Sequence, residues 1–164
     1  TQEIMSPILN QYEGKIKYSS LKLEKSFDFG KWTLDNSIIY QIINQNEDIL
    51  NLPQFMSRNT LFFSERIFRN TLAIQTGINF KIFSKYYANE YNPLISDFHI
   101  QNQKKIGSFP LFDFFFNAKI RQTKIFIIAE HINSSFTGNN FYSTPESVYR
   151  DFGVRFGFKW NLFN

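Results

Sequence analysis

From residue 152 to residue 162 the chain alternates without a break. Phe152, Val154, Phe156, Phe158, Trp160 and Leu162 are apolar, and Gly153, Arg155, Gly157, Lys159 and Asn161 between them are small or polar. Successive side chains of a strand point to opposite sides, so this stretch predicts one extended strand with an apolar face and a wet face. Strands of soluble proteins usually run to about 5–6 residues. A tilted strand that crosses a bilayer needs about 9–11, and this stretch is of the second kind.

The bulk properties agree once alternation is taken into account. At 164 residues one domain is expected. Aromatic residues make up 19% of the chain, 21 of them Phe, yet mean hydropathy is only -0.30. A barrel with a polar lumen produces this pairing, because every apolar residue is averaged with a polar neighbour. No run approaches the 18 or so apolar residues of a membrane helix. Cysteine is absent, which removes disulfide frameworks, zinc–thiolate sites and thiol catalysis. Residues 1–14 show no basic, apolar and small-residue succession of an export signal. The expectation is a mature chain or the tail of a longer one. The net charge of +4 is spread along the chain.

Read in order, residues 1–13 are expected to form an extracellular loop and residues 14–163 a transmembrane β-barrel segment. Strands are predicted at about 15–29, 32–44, 54–68, 71–85, 111–121, 124–133 and 148–163. The first carries Leu21, Leu23, Phe27 and Phe29 on its apolar face, with Lys25 as an intruder expected to snorkel toward an interface. The second carries Trp32, Leu34, Ile38, Tyr40 and Ile42. The third is poorly patterned, since Glu65 shares a face with Leu61, Phe63 and Ile67. The fourth alternates cleanly, and 95–101 is a possible short strand in the irregular stretch after it. The fifth sets Phe112, Phe114, Phe116, Ala118 and Ile120 against Asp113, Phe115, Asn117, Lys119 and Arg121. The sixth is apolar on both faces at Phe126, Ile127 and Ile128, so its phase is open.

The connections sort into two kinds. Gly30 with Lys31, Arg69 with Asn70, and Gln122 with Thr123 are short turns; 45–53, 86–110 and 134–146 are long. Short turns on one rim and long loops on the other mark an outer-membrane barrel, with the short turns periplasmic and the long loops extracellular. All five prolines (Pro7, Pro53, Pro93, Pro110 and Pro145) fall in the long segments, where no ladder donor is lost. Single-chain bacterial barrels usually have an even strand number. Seven strands therefore imply the C-terminal part of a larger barrel, unless 1–13 adds an eighth strand to a small closed one. The expected fold is all-β: an antiparallel transmembrane β-barrel portion of about 7–8 strands.

With the strands placed, several stretches become informative together. They are GSFPLFDFFFNAK at 107–119, EHIN at 130–133, FTGNNFY at 136–142, YRDF at 149–152 and WNLF at 160–163, preceded by YYANEYNP at 86–93. They resemble the putative porin family of Bacteroidetes outer-membrane β-barrels, most specifically over residues 86–163. The resemblance implies a barrel longer than this chain, with a transport role and with this segment at its C-terminal end. In outer-membrane barrels generally the closing aromatic is in phase with the lipid face; here Leu162 is the last in-phase residue and Phe163 is out of phase.

No catalytic constellation stands out. His99 and His131 lack paired spacing, no phosphate-binding glycine loop is present, and no cofactor, metal or enzymatic role is expected. Arg155, Phe156, Gly157 and Phe158 superficially match an RNA-binding strand, but the glycine order and the βαββαβ setting are missing, so no nucleic-acid partner is expected. Gly153 and Gly157 are expected to relieve crowding or mark a bend. The functional candidates are inward charges and amides: Lys22, Glu24, Asp35, Lys81, Asp113, Asn117, Lys119, Arg121, Glu130, Arg155 and Lys159 as lumen-lining groups that tune solute passage, or as wall-to-wall ion pairs. Outward Trp32, Tyr40, Phe112 and Trp160 are expected in interfacial girdles. Phe156, Phe158, Trp160, Leu162 and Phe163 are expected to form the C-terminal insertion signal. The expected partners are the lipid bilayer, the barrel-assembly machinery during insertion and other envelope chains. Three functions follow: passive diffusion of small polar solutes through a porin-like barrel of the bacterial outer membrane; a structural or client barrel held by another chain of an envelope or assembly complex; and a soluble ligand-binding β-barrel or sandwich, which outward Phe on nearly every strand disfavours.

Overall fold

The alternation resolves into one curved antiparallel sheet. The structure, a computed structural model, describes residues 12–137 and 141–161. Seven strands build the sheet: β1 (Lys17–Phe29), β2 (Trp32–Asn44), β3 (Phe55–Ile67), β4 (Leu72–Phe83), β7 (Leu111–Ile120), β8 (Thr123–Glu130) and β9 (Gly153–Trp160). Two short strands, β5 (Glu90–Asn92) and β6 (Asp97–His99), form a separate hairpin within the long connection, and α1 (Ser134–Thr137) is a single turn of helix. The sheet order is β1-β2-β3-β4-β7-β8-β9, so sequential strands of the sheet are neighbours throughout. The sheet is not closed: among the described residues β1 pairs only with β2, and β9 only with β8.

The longest strands have the length a bilayer asks for, while β8 and β9 run to 8 residues each. At a rise of about 3.3 Å per residue, the 13 residues of β1, β2 and β3 reach about 43 Å, and a tilt near 45° projects this to roughly 30 Å, the thickness of the hydrocarbon core. Among the described residues no helix is long and apolar enough to cross a membrane.

The sheet is a single layer. A soluble domain buries a sheet's apolar side against a second layer, and among the described residues none covers this one. Phe156 is 82% exposed and Phe158 76%, and every residue of β1 is exposed. The buried apolar cluster is instead Phe109, Leu111 and Phe141, with Phe83 and Tyr149 packed against it at the long-loop end.

Several boundaries differ from the sequence expectation. The third and fourth strands close at the pair Ile67↔Leu72, so the turn spans 68–71, with Phe68, Arg69 and Asn70 all at positive φ, rather than Arg69 and Asn70 alone. Ile120↔Thr123 is the last pair of β7 and β8, which moves the turn from Gln122 and Thr123 to Arg121 and Gln122. The sixth expected strand, 124–133, ends at Glu130, because beyond it side chains take over all but the Ile132 N–H bond to Phe112 O. Asp113 Oδ1 accepts the His131 N–H (3.0 Å) and Asn133 Oδ1 accepts the Phe112 N–H (3.0 Å). The last expected strand, 148–163, begins only at Gly153, since Val148 bridges Tyr142 and the Tyr149 N–H donates to Phe141 O. The possible strand at 95–101 is β6, paired with a β5 that carries no alternation signal. Of the loop expected at 1–13, residues 1–11 lie outside the described residues, as do Leu162 and Phe163 of the expected insertion signal.

Candidate functional site

Antiparallel partners share a face, so the registers assign every strand residue to one side. One row across the sheet reads Phe27, Leu34, Leu61, Ile78, Phe114, Ala129, Val154, apolar at every strand. The opposite side carries a row of Asp28, Thr33, Phe62, Gly77, Phe115, Ile128 and Arg155, with the polar residues above and below it. This second side holds Lys22, Glu24, Asp35, Lys81, Asp113, Asn117, Lys119, Glu130, Arg155 and Lys159 together. Arg121 is not among them: it sits in the turn with φ 52, where strand alternation no longer sets its direction.

The sheet is hollow on this polar side. A concavity of about 880 Å³ is lined by Arg66, Gln75, Asn117, Lys119, Lys124 and Lys159 among others. Another of about 400 Å³ is lined by Glu24, Ser26, Asp35, Ser37, Arg58 and Thr60. The phase of β8, open in the sequence, is fixed by pairing. Ile125 and Ile127 join the apolar side opposite Phe158 and Phe156, and Phe126 and Ile128 face the hollow. Phe126 fits there because Gly157 stands opposite: a Cβ on Gly157 would lie 2.6 Å from the Phe126 ring. Gly153 has no such role, as a Cβ there meets nothing within 4 Å.

Most charges of the upper and middle hollow are paired. Lys22 Nζ lies 2.7 Å from Glu24, and Lys81 Nζ 2.6 Å from Asp113 Oδ2. Glu130 accepts from both Arg150 and Arg155. Glu65 lies on the apolar side, where Lys31 engages it. Lys25, the intruder on that same side, shares a row with Asn36 and Asn59.

At the long-loop end the chain folds over the polar side. Phe83 and Leu111 point into the hollow, and Phe109, Phe141 and Tyr149 pack on them. His131, 1% exposed, is held by its N–H on Asp113 and its Nδ1 on Arg150 O (2.8 Å), with Phe141 and Tyr149 rings edge-on at 4.5 and 5.6 Å. Asn133 Nδ2 donates to Pro110 O (2.8 Å). Nearby, burial pushes the Tyr86 phenol above its ordinary value. His131 and Asn133 thus tie the 131–150 loop to the strand ends. No periodic pattern marks this role, because both residues follow the last ladder pair. His99 instead sits on the exposed β6, 3.6 Å from Glu90. Among the described residues no three His, Asp or Glu side chains gather to hold a metal.

A family model described as Putative porin matches residues 2–164, which takes in the whole described sheet and its connections. No curated protein and no solved structure matches the chain.

Proposed function

This chain belongs to the Putative porin family, which makes it a porin-like outer-membrane protein, and from that premise we propose that its sheet is part of the wall of a passive diffusion pore for small polar solutes. The observation that carries the reading is the division of the two sides. A continuous apolar row faces outward across all strands, and charged and amide side chains line a hollow on the other side. Lipid would wet the first and water the second. Lys22, Glu24, Asp35, Lys81, Asp113, Asn117, Lys119, Glu130, Arg155 and Lys159 would line the lumen, and the aromatic cap at the long-loop end would narrow its extracellular mouth. Phe156, Phe158 and Trp160 would be lipid anchors and part of the signal read by the barrel-assembly machinery.

The full-length protein, reconstituted into a planar bilayer, is expected to give stepwise ion currents. Silence despite confirmed insertion sinks the pore reading. One observation favours a second reading, in which the chain is a structural or client barrel held by another chain: both sheet edges, β1 and β9, are unpaired among the described residues. Unpaired backbone donors and acceptors are not tolerated in lipid, so further strands of the same barrel or a partner chain must cover them. A silent but inserted protein is the outcome this second reading expects.

A further inference from the structure

One row of the polar side breaks the pattern of paired charges. At the short-turn rim Arg66 stands opposite Ala73, Ala73 opposite Lys119, Lys119 opposite Lys124, and Lys124 opposite Lys159. Three lysines therefore face one another directly on three adjacent strands, about 4.8 Å apart strand to strand, and an arginine stands two strands beyond Lys119, across Ala73. Among the described residues none of these four cations makes an ion pair or a hydrogen bond. Glu65 borders the concavity, but Lys31 already engages it.

Like charges directly opposite one another destabilise a sheet. Elsewhere on this face Lys22, Lys81 and Arg155 have carboxylate partners while Arg58, opposite Lys81, has none among the described residues; what sets this row apart is that all four of its cations are unpaired and line one concavity. The four cations line one concavity, and Ala73, the small residue of the row, keeps it open. Above them Gln75 and Asn117 add uncharged amide donors, 3.4 Å from each other. Clustered cations, neutral donors beside them and, among the described residues, no unengaged carboxylate in the concavity are what a bound polyvalent oxyanion needs.

We propose that Arg66, Lys119, Lys124 and Lys159 form a cation ladder that binds soluble polyvalent oxyanions, such as condensed phosphates, phosphate esters or polycarboxylates, at the short-turn mouth of the hollow. The inference rests on the pore reading for its access from solution. It does not require current to flow, so the two are tested separately.

The test uses the full-length protein in neutral detergent with inorganic pyrophosphate as the probe. Calorimetric titration is expected to show pyrophosphate binding, and pyrophosphate to raise the melting temperature. In the variant Lys119→Gln/Lys124→Gln/Lys159→Gln, affinity is expected to fall roughly ten- to hundredfold, from about two- to fivefold per exposed pair. Without pyrophosphate this variant should melt no lower than the parent, since opposed charges have been removed. In bilayers the parent's reversal potential in a potassium chloride gradient should favour the anion, and the variant's should move toward the cation side. Pyrophosphate binding without current supports the ladder and sinks the pore. Current with no anion preference and no pyrophosphate binding sinks the ladder and leaves the pore. Unchanged affinity in the triple variant overturns the assignment, as does binding to phosphatidylglycerol micelles with none to free pyrophosphate, which would make the row a lipid-headgroup contact.

Discussion

At the scale of single residues, the polar side is shaped by where side chains are missing. Gly77 sits between Phe62 and Phe115 in one row, and a Cβ on it would lie 2.3 Å from Leu61 O and 2.6 Å from Phe62 Cβ. Neither obstacle is a flexible side-chain end, so Gly77→Ala is expected to cost about 1–3 kcal/mol through overpacking. A lower denaturant midpoint in detergent would show it. Gly153 is the control. With open space around it, Gly153→Ala should be neutral or gain up to about 1 kcal/mol from the lost freedom of the unfolded chain. An equal loss in both variants would defeat the crowding argument. The sequence distinguishes these glycines poorly. Gly77 looks like any small residue of a wet face, and Gly153 looks identical to Gly157, because what separates them is the residue across the ladder.

At the scale of elements, β8 and the loop after it show where alternation stops being informative. Phe126, Ile127 and Ile128 read equally well in either phase, and the choice is made by Gly157 on the neighbouring strand accepting the Phe126 ring. β1, β2 and β4 need no such help, since enough of their residues alternate to set the phase despite exceptions such as Lys25 and Asn36. The lysine ladder was hidden by the same ambiguity. Lys124 has no face until β8 has a phase, so Lys119 and Lys159 read as isolated lumen charges. The loop cap was illegible for a different reason: it is held by side chain to backbone bonds with no period. Asn133 carries much of it, taking the Phe112 N–H and donating to Pro110 O. Asn133→Ala leaves both groups short of partners, at about 1–3 kcal/mol. The expected sign is faster hydrogen exchange at Phe112 and faster proteolysis within 131–150, with exchange in β1 and β2 unchanged. Uniform acceleration throughout the sheet would mean the loop is part of the global fold rather than a locally tied cap.

At the scale of the whole molecule, a one-layer sheet with an exposed aromatic side must be placed by something outside the chain, and its tryptophans say where. Trp32 opens β2 beside the turn at Gly30, whose φ of 67 suits a two-residue hairpin, and Trp160 closes β9 opposite Thr123, at the first residue of β8. Both lie on the apolar side and both at the short-turn end, although they stand on strands far apart in the sheet. Tryptophan prefers the bilayer interface, where its ring is buried and its N–H stays wet. If the outward side meets lipid, the two rings belong to one girdle at one depth, level with the headgroups. The emission lost on replacing both, Trp32→Phe/Trp160→Phe, should then be quenched more strongly by a spin label near the headgroup end of the acyl chain than by one at its far end. Stronger quenching from the bilayer centre would place the short turns too deep for this fold. No quenching by either label would mean that protein, not lipid, covers the apolar side, and the chain would then be the held subunit that its two edges, unpaired among the described residues, allow rather than the wall of a pore in lipid.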